Sequence, residues 1–346
     1  MPEKDGKFIT NHFIKKWAAR TPRQLPCNAT TRAEFSRWQQ SLKAKIKALL
    51  LEFPEPAPLE PEFYGKEVCE KFTREKWLIQ TELDCWMPLY LLIPHERTQP
   101  APAILCCHGH GQFGKDPVAG VHLNHPGRQA DISQMNYDYG RQMAEHGFVT
   151  IVPDWRSFGE RIGYENPFPG RDICNIHFLQ HLLLGRTLLG ANIFDATRAI
   201  DFLVTRPEVD PKRIGCMGLS FGGTMTLYTS LFDDRIQAAD IICFTSTFEH
   251  YSFNTPNTCG SQLVPGLAQW VDLGHVIGAL APKPLLLESG VCDSCFEFHS
   301  ARAAQEIVRK IYQAAGAAEK FEIENHPGEH AFGGQQAFAF FQQYLG

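Results

Sequence analysis

The chain has 346 residues, 44% of them hydrophobic and 21% charged, with a formal net charge of −5. That composition supplies a globular core and excludes a disordered or fibrous chain, and without a basic, aromatic-laced stripe nucleic acid has no electrostatic footprint. The opening MPEKDGKFITNHFIKKW lacks the apolar centre of a signal peptide, and no run reaches the roughly 18 apolar residues of a membrane span. No membrane partner is therefore expected, and the cytoplasm is the expected location.

Residues 1–62 read as a helical N-terminal arm and a proline-rich linker. In TTRAEFSRWQQSLKAKIKALL, Phe35, Trp38, Leu42, Ile46 and Leu49 fall on one helical face, and Thr31 with Glu34 forms a capping-box pattern. The alternate prolines of FPEPAPLEP favour an extended segment. Residues 63–346 form the main unit. KEVCEKFTREKWLIQTELDCWMPLYLLIP predicts two or three antiparallel strands, and apolar strands then alternate with helices to the C-terminus. The strands are APAILCC, FVTIVPD, RIGCMGLS, IQAADIICF, KPLLLES and KFEIEN. Helices are predicted around YGRQMAEHG and TLLGANIFDATRAIDFLVT, from Phe221, ahead of Gly316, and in QQAFAFFQQYL. Apolar β-runs separated by amphipathic helices predict an α/β fold: a mostly parallel central sheet covered on both faces, with an antiparallel N-terminal edge. Two insertions, near 155–185 and 245–275, are longer than ordinary connections and lie on the side where open α/β sheets bind ligands.

Eleven cysteines are an odd count, and several sit in apolar runs, as Cys106, Cys107 and Cys243 do. Buried reduced thiols are expected. Cys292 and Cys295 have C-x-x-C spacing without a second pair, so zinc or redox work is not expected of them.

The chemistry concentrates at Gly218-Leu219-Ser220-Phe221-Gly222, a G-x-S-x-G between a predicted strand and a predicted helix. That context is a nucleophile elbow, whose partners follow in the order serine, acid, histidine. A serine hydroxyl needs a base. His330, in the glycine-flanked loop after KFEIEN, is the preferred base, and His326 at the strand end is its rival. Asp293, three residues beyond Gly290, is the preferred acid, and Glu288 in the strand is the alternative. Backbone N–H groups of Phe221 and His110 are the expected oxyanion donors, the second from the loop His108-Gly109-His110-Gly111. Those two histidines raise the question of a metal, but no further ligands stand at suitable spacing, so none is expected. Trp155, Phe158, Phe248, Tyr251 and Trp270, in the two insertions, are candidates for a substrate pocket and equally for core.

Together HGHG (108–111), DWRSFGER (154–161), GLSFGG (218–223), GVCD (290–293) and GEHAF (328–332) resemble the α/β-hydrolase superfamily, in its dienelactone-hydrolase-like and acetyl-xylan-esterase-like serine esterase branch. The resemblance covers roughly residue 66 to the end. It implies a Ser220–Asp293–His330 triad, a hydrolase without cofactor, and a structural ion-pair cluster at Arg156, Glu160 and Arg161. Ser157 and Phe221 depart from the deacetylases, which carry glycine and glutamine there, so deacetylation of xylan is not implied. The function expected is hydrolysis of a small or medium-sized carboxylic ester through an acyl-enzyme, faster as pH rises and the histidine loses its proton. A serine peptidase, an acyltransferase and a hydrolase-like binding protein are the alternatives. The partner expected is a small-molecule ester, with homo-oligomerisation left open.

Overall fold

The structure, a computed structural model, describes residues 9–97, 99–163, 170 and 172–346. Two helices come first, α1 (Thr10–Arg20) and α2 (Arg32–Leu49). At the start of α2 the Glu34 amide donates to Thr31 Oγ1 (3.3 Å), and the Glu34 carboxylate accepts from the Thr31 amide (3.1 Å). Phe35, Trp38, Leu42 and Ile46 are buried and Leu49 is half-buried, so the predicted stripe is the docking face. Each fully buried large apolar side chain contributes about 1.5–3 kcal/mol, more than a helix of this length gains from propensity. Trp38 Nε1 donates to the Leu25 carbonyl at 3.0 Å, and Gln39 Nε2 donates to the Ala279 and Ala281 carbonyls, each at 2.7 Å.

Three antiparallel strands follow, β1 (Glu62–Val68), β2 (Phe72–Glu82) and β3 (Cys85–Pro94). Next come β4 (Ala101–Cys107), α3 (Lys115–Val118), α4 (Pro126–Met135), α5 (Tyr139–Glu145) and β5 (Val149–Pro153). The chain continues through α6 (Ile173–Leu183), α7 (Leu188–Leu203), β6 (Val209–Leu219), α8 (Phe221–Phe232) and β7 (Ile236–Ile242). It closes with α9 (Leu273–Gly278), β8 (Leu285–Gly290), α10 (Phe298–Ala314), β9 (Phe321–His326) and α11 (Ala337–Leu345). All nine strands join one sheet in the order β1-β2-β3-β5-β4-β6-β7-β8-β9. Pairing is antiparallel as far as β3–β5 and parallel from β5 to β9.

β4 shows why its sequence is apolar throughout. Ala101, Ala103, Leu105 and Cys107 enter the core on one face, while Ile104 and Cys106 enter the core on the other. A strand buried on both sides cannot alternate in polarity. Among the described residues, no helix is long and apolar enough to cross a membrane.

Several helices differ from expectation. α4 has no buried residue, so it carries no periodic stripe; Pro126 at its first turn and the His125 side chain, accepting from the Gly127 amide at 3.1 Å, start it instead. α6 lies inside the first long connection. Its sequence is apolar nearly all round while only Cys174 is buried, which masks helical periodicity. Residues 164–169 and 171 of that connection lie outside the described residues. The second connection holds the turn Glu249–Asn254 and then α9.

Candidate active site

Ser220 sits between β6 and α8 with φ +63° and ψ −119°, a left-handed conformation that costs a non-glycine residue of order 1–3 kcal/mol. Its neighbours show why the turn needs glycine. A Cβ on Gly218 would lie 2.5 Å from the Cys107 carbonyl oxygen, and one on Gly222 only 2.0 Å from it. The elbow is pressed against the end of β4, and the Ser220 amide donates to the Ile242 carbonyl at 2.9 Å.

Asp293 and His330 are brought together after β8 and β9. His330 Nδ1 lies 2.8 Å from Asp293 Oδ2, while Asp293 Oδ1 accepts from the Cys295 and Phe296 amides at 2.7 and 2.9 Å. A carboxylate with those donors only accepts, so Nδ1 carries the hydrogen and Nε2 is left free to act as a base. Burial alone would raise the Asp293 pKa; the His330 hydrogen bond and the two amides overcome it and hold the carboxyl below its ordinary value. The Phe296 ring stacks on His330 at 5.7 Å. Gly290 lets the two loops touch, since a Cβ there would meet the Glu329 carbonyl oxygen at 2.0 Å.

The rival residues are placed elsewhere. His326 is buried at the end of β9, and its Nδ1 accepts from the Gly328 amide at 3.2 Å. Glu288 is buried within β8, where its Oε2 accepts from the Gly333 and Gly334 amides at 2.9 and 3.2 Å. Burial, then the neighbouring Glu324, push the Glu288 carboxyl up to about 8, and Asp240 beside it is raised well above the carboxylate range. Glu324 in turn accepts from the Gln336 amide at 2.7 Å. Glu288 and Glu324 anchor the chain that follows His330 through its backbone amides.

On the other side of Ser220, the loop after β4 is braced from below. The Trp155 amide donates to His108 Nε2 at 3.0 Å, so His108 carries its hydrogen on Nδ1 and directs it at the Gly109 carbonyl (2.7 Å). Burial lowers the His108 pKa to about 4 and keeps the ring neutral. The Gly109 amide donates to Tyr137 Oη. Lys115, wholly buried, donates through Nζ to Asp154 Oδ2 (2.8 Å) and to Glu160, and its backbone amide donates to Asp154 Oδ1 (2.7 Å). Gly114 and Gly159, both at positive φ, wrap this carboxylate; a Cβ on either would come within 2.2 Å of Asp154 Oδ1.

The expected single cluster at Arg156, Glu160 and Arg161 is in fact two. Arg156 pairs with Asp195 (2.7 Å) and Glu82 (2.6 Å), and Arg161 pairs with Asp195 (2.7 Å). Glu160 belongs instead with Lys115 and Lys76.

Ser220 and His330 line one pocket of about 210 Å³, together with His110, Gln112, Asp131 and Tyr137. Phe221 opens α8, so its amide has no intrahelical acceptor. Its side chain is buried 5.1 Å from the Phe158 ring. The aromatic candidates for the pocket need correction. Trp155 and Phe158 are buried in the core beneath the loop after β4, because both rings pack against His108. Phe248 and Tyr251 line a separate, mainly apolar cavity of about 540 Å³ that does not include Ser220. Trp270 lies under the Lys45 ammonium, 3.7 Å from its ring centre. The expectation about ligands near His110 also needs correction, since Cys174 and Cys259 converge on it from the two long connections.

The profile of the Abhydrolase family matches residues 3–335. The chain belongs to the Abhydrolase family. A Bacillus subtilis (strain 168) protein named "Putative hydrolase YtaP" is 26% identical over 314 residues, spanning 88% of this chain and 98% of that relative. A solved structure described as "a putative acetyl xylan esterase" from Bacteroides fragilis superposes with a TM-score of 0.76 at 21% identity, covering 94% of this chain and 84% of that one. A glucuronoyl esterase from Solibacter usitatus superposes with a TM-score of 0.66 at 16% identity, covering 95% of this chain and 100% of that one. At such identities the likeness to both structures is one of fold, and it is the α/β-hydrolase fold that the strand order and antiparallel edge display.

Within this Abhydrolase member, sequence reasoning missed Lys115, Tyr137, Asp154 and Asp195 as supports of the site. Asp195 had a readable signal: it interrupts the apolar face of α7 between Ile193 and Ala196 and is wholly buried. A buried carboxylate must find a cation. Lys115 had none, because a lysine ordinarily faces water.

Proposed function

We propose that this chain hydrolyses carboxylic esters through an acyl-enzyme, with Ser220 as nucleophile, His330 as base and Asp293 as the group that orients it. The observation that carries this reading is the His330–Asp293 hydrogen bond of 2.8 Å at the rim of the pocket that holds Ser220 in its left-handed turn. Ser220 Oγ attacks the ester carbonyl while His330 Nε2 takes its proton. The Phe221 and His110 amides receive the developing oxyanion. The alcohol leaves with the proton from His330, and water then repeats the sequence to release the acid. Asp293 stabilises the imidazolium and takes no proton itself.

The pocket supports a short acyl group on a hydroxylated alcohol. It is about 210 Å³, and His110, Gln112, Asp131 and Tyr137 give it polar walls. Structural neighbours described as an acetyl xylan esterase and a glucuronoyl esterase support esters of sugars as well. The larger apolar cavity, which would suit a fatty chain, does not open on Ser220. A series of p-nitrophenyl esters tests this: kcat/KM falls at least about tenfold from acetate to octanoate, a difference of ~1.4 kcal/mol in transition-state binding. Rising kcat/KM with chain length contradicts the substrate reading, and no Ser220-dependent turnover of any ester contradicts the reaction.

A further inference from the structure

Three side chains far apart in sequence meet in the wall between the two cavities. His110 follows β4, Cys174 stands in the first turn of α6, and Cys259 precedes the short turn Gly260–Gln262. His110 Nε2 lies 3.2 Å from Cys174 Sγ, and the three ligand atoms all lie within 4.8 Å of one another. Ser261 Oγ is 2.7 Å from Cys259 Sγ. In a tetrahedral site with metal–sulfur bonds of about 2.3 Å and metal–nitrogen bonds of about 2.0–2.1 Å, ligand atoms stand roughly 3.5–3.8 Å apart. Shifts of up to about 1 Å would bring this set to that spacing.

A second thiol pair shows that contact alone is not the point. Cys107 and Cys216 are neighbours on β4 and β6 with sulfurs 3.7 Å apart, in the apolar core, where burial raises the Cys107 thiol well above its ordinary value. Cys174 and Cys259 are placed differently: Cys174 meets the His110 ring and Cys259 the Ser261 hydroxyl, with all three metal-ligating side chains converging in one place. Two thiols and an imidazole converging in this way are a donor set of zinc.

We propose that His110, Cys174 and Cys259 form a binding site for zinc(II), with two sulfurs, one nitrogen and a fourth position for Ser261 or water. Binding forms two zinc–sulfur bonds and one zinc–nitrogen bond, and the thiol protons leave to solvent, so affinity rises with pH. The ion would tie the loop after β4 to both long connections. His110 lines the serine pocket and Cys259 lines the apolar cavity, so the site stands between them. The proposal is independent of the assignment of Ser220.

The test is titration of the full-length, metal-stripped and reduced protein with cobalt(II). One cobalt per chain, with a thiolate charge-transfer band that zinc abolishes, is expected. Cys174→Ser and Cys259→Ser each weaken binding by more than about 100-fold, beyond the loss typical of an outer-shell change, while Cys292→Ser leaves it unchanged. A second measurement, independent of how the serine variants fold, uses the wild type: zinc protects Cys174 and Cys259 from alkylation, read by peptide mass spectrometry. Absence of saturable cobalt binding, binding that survives both serine variants, or zinc-independent alkylation of the two thiols overturns the proposal. A Cys174–Cys259 disulfide that binds no cobalt after reduction overturns it as well.

Discussion

The two flanks of Ser220 rest on buried charge, and they solve its cost in opposite ways. Beneath the loop after β4, Asp154 is met by Lys115, whose ammonium it holds with Glu160 and Asp116. Beneath the histidine loop, Asp240 and Glu288 lie together beside Glu324, and burial first, then the neighbouring carboxyls, raise Asp240 and Glu288. Buried carboxyls without a cation must keep protons. One flank is therefore an ion cluster that is constant through the neutral range, and the other titrates. The lesson is that the loop after β4 is held by charge, and the histidine loop by backbone amides that donate to buried carboxyls.

The sharpest contrast is between two carboxyls five residues apart, Glu288 within β8 and Asp293 in the loop after it. Asp293→Asn removes the acceptor of the His330 Nδ1–H and is expected to lower kcat on the order of 10⁴-fold, about 5.5 kcal/mol of barrier, with little change in Tm. Glu288→Gln keeps an oxygen for the Gly333 and Gly334 amides and is expected to change kcat only a few-fold. Steady-state kinetics of both variants checks this, and equal losses would erase the distinction between them.

Next in size is the ion cluster. Lys115→Met leaves Asp154 buried and uncompensated, and about 3–5 kcal/mol of stability is expected to go, read by urea denaturation. The Lys115 pKa is raised, because attraction to Asp154, Asp116 and Glu160 overcomes the largest single effect, desolvation. A raised pKa on a cation means that its stabilisation is complete below the ordinary lysine value of 10.5 and is lost only as pH rises through the higher folded value. The wild-type advantage over Lys115→Met should thus be flat across neutral pH.

The smallest effect belongs to the titrating flank. A carboxyl raised from 4.5 to about 8 holds a proton in the folded state that the unfolded chain has released, so its contribution to stability declines as pH rises through that window. Glu288→Gln cannot release a proton. Its Tm should fall less than the wild type's between about pH 5 and pH 8, in scanning calorimetry. A wild-type Tm that rises across this range, or a variant that tracks it, contradicts a proton held on Glu288 in the folded state.

Much of this was legible in the sequence where local pattern and global fold agree. The stripe of α2, the double-sided burial of β4 and the G-x-S-x-G turn each follow from spacing and from glycine at positions where a Cβ has no room. The choice of Asp293 over Glu288 followed from counting past the strand end. The supports of the site were not legible, because they are long-range. Lys115 and Asp154 meet across a loop that sequence spacing does not relate, and Cys174 reaches His110 from a helix whose apolar surface hides its period. Aromatic residues misled for a related reason: Trp155 and Phe158 follow a strand at the ligand-binding edge, yet the neutral His108 ring draws both beneath the loop.

Labelling with a fluorophosphonate tests the assignment of the nucleophile most directly. A single covalent adduct, mapped by peptide mass spectrometry to Ser220, lost in Ser220→Ala and slowed in Asp293→Asn, is the expected result. A folded protein that stays unlabelled, or an adduct on any other residue that accompanies loss of esterase activity, would contradict it.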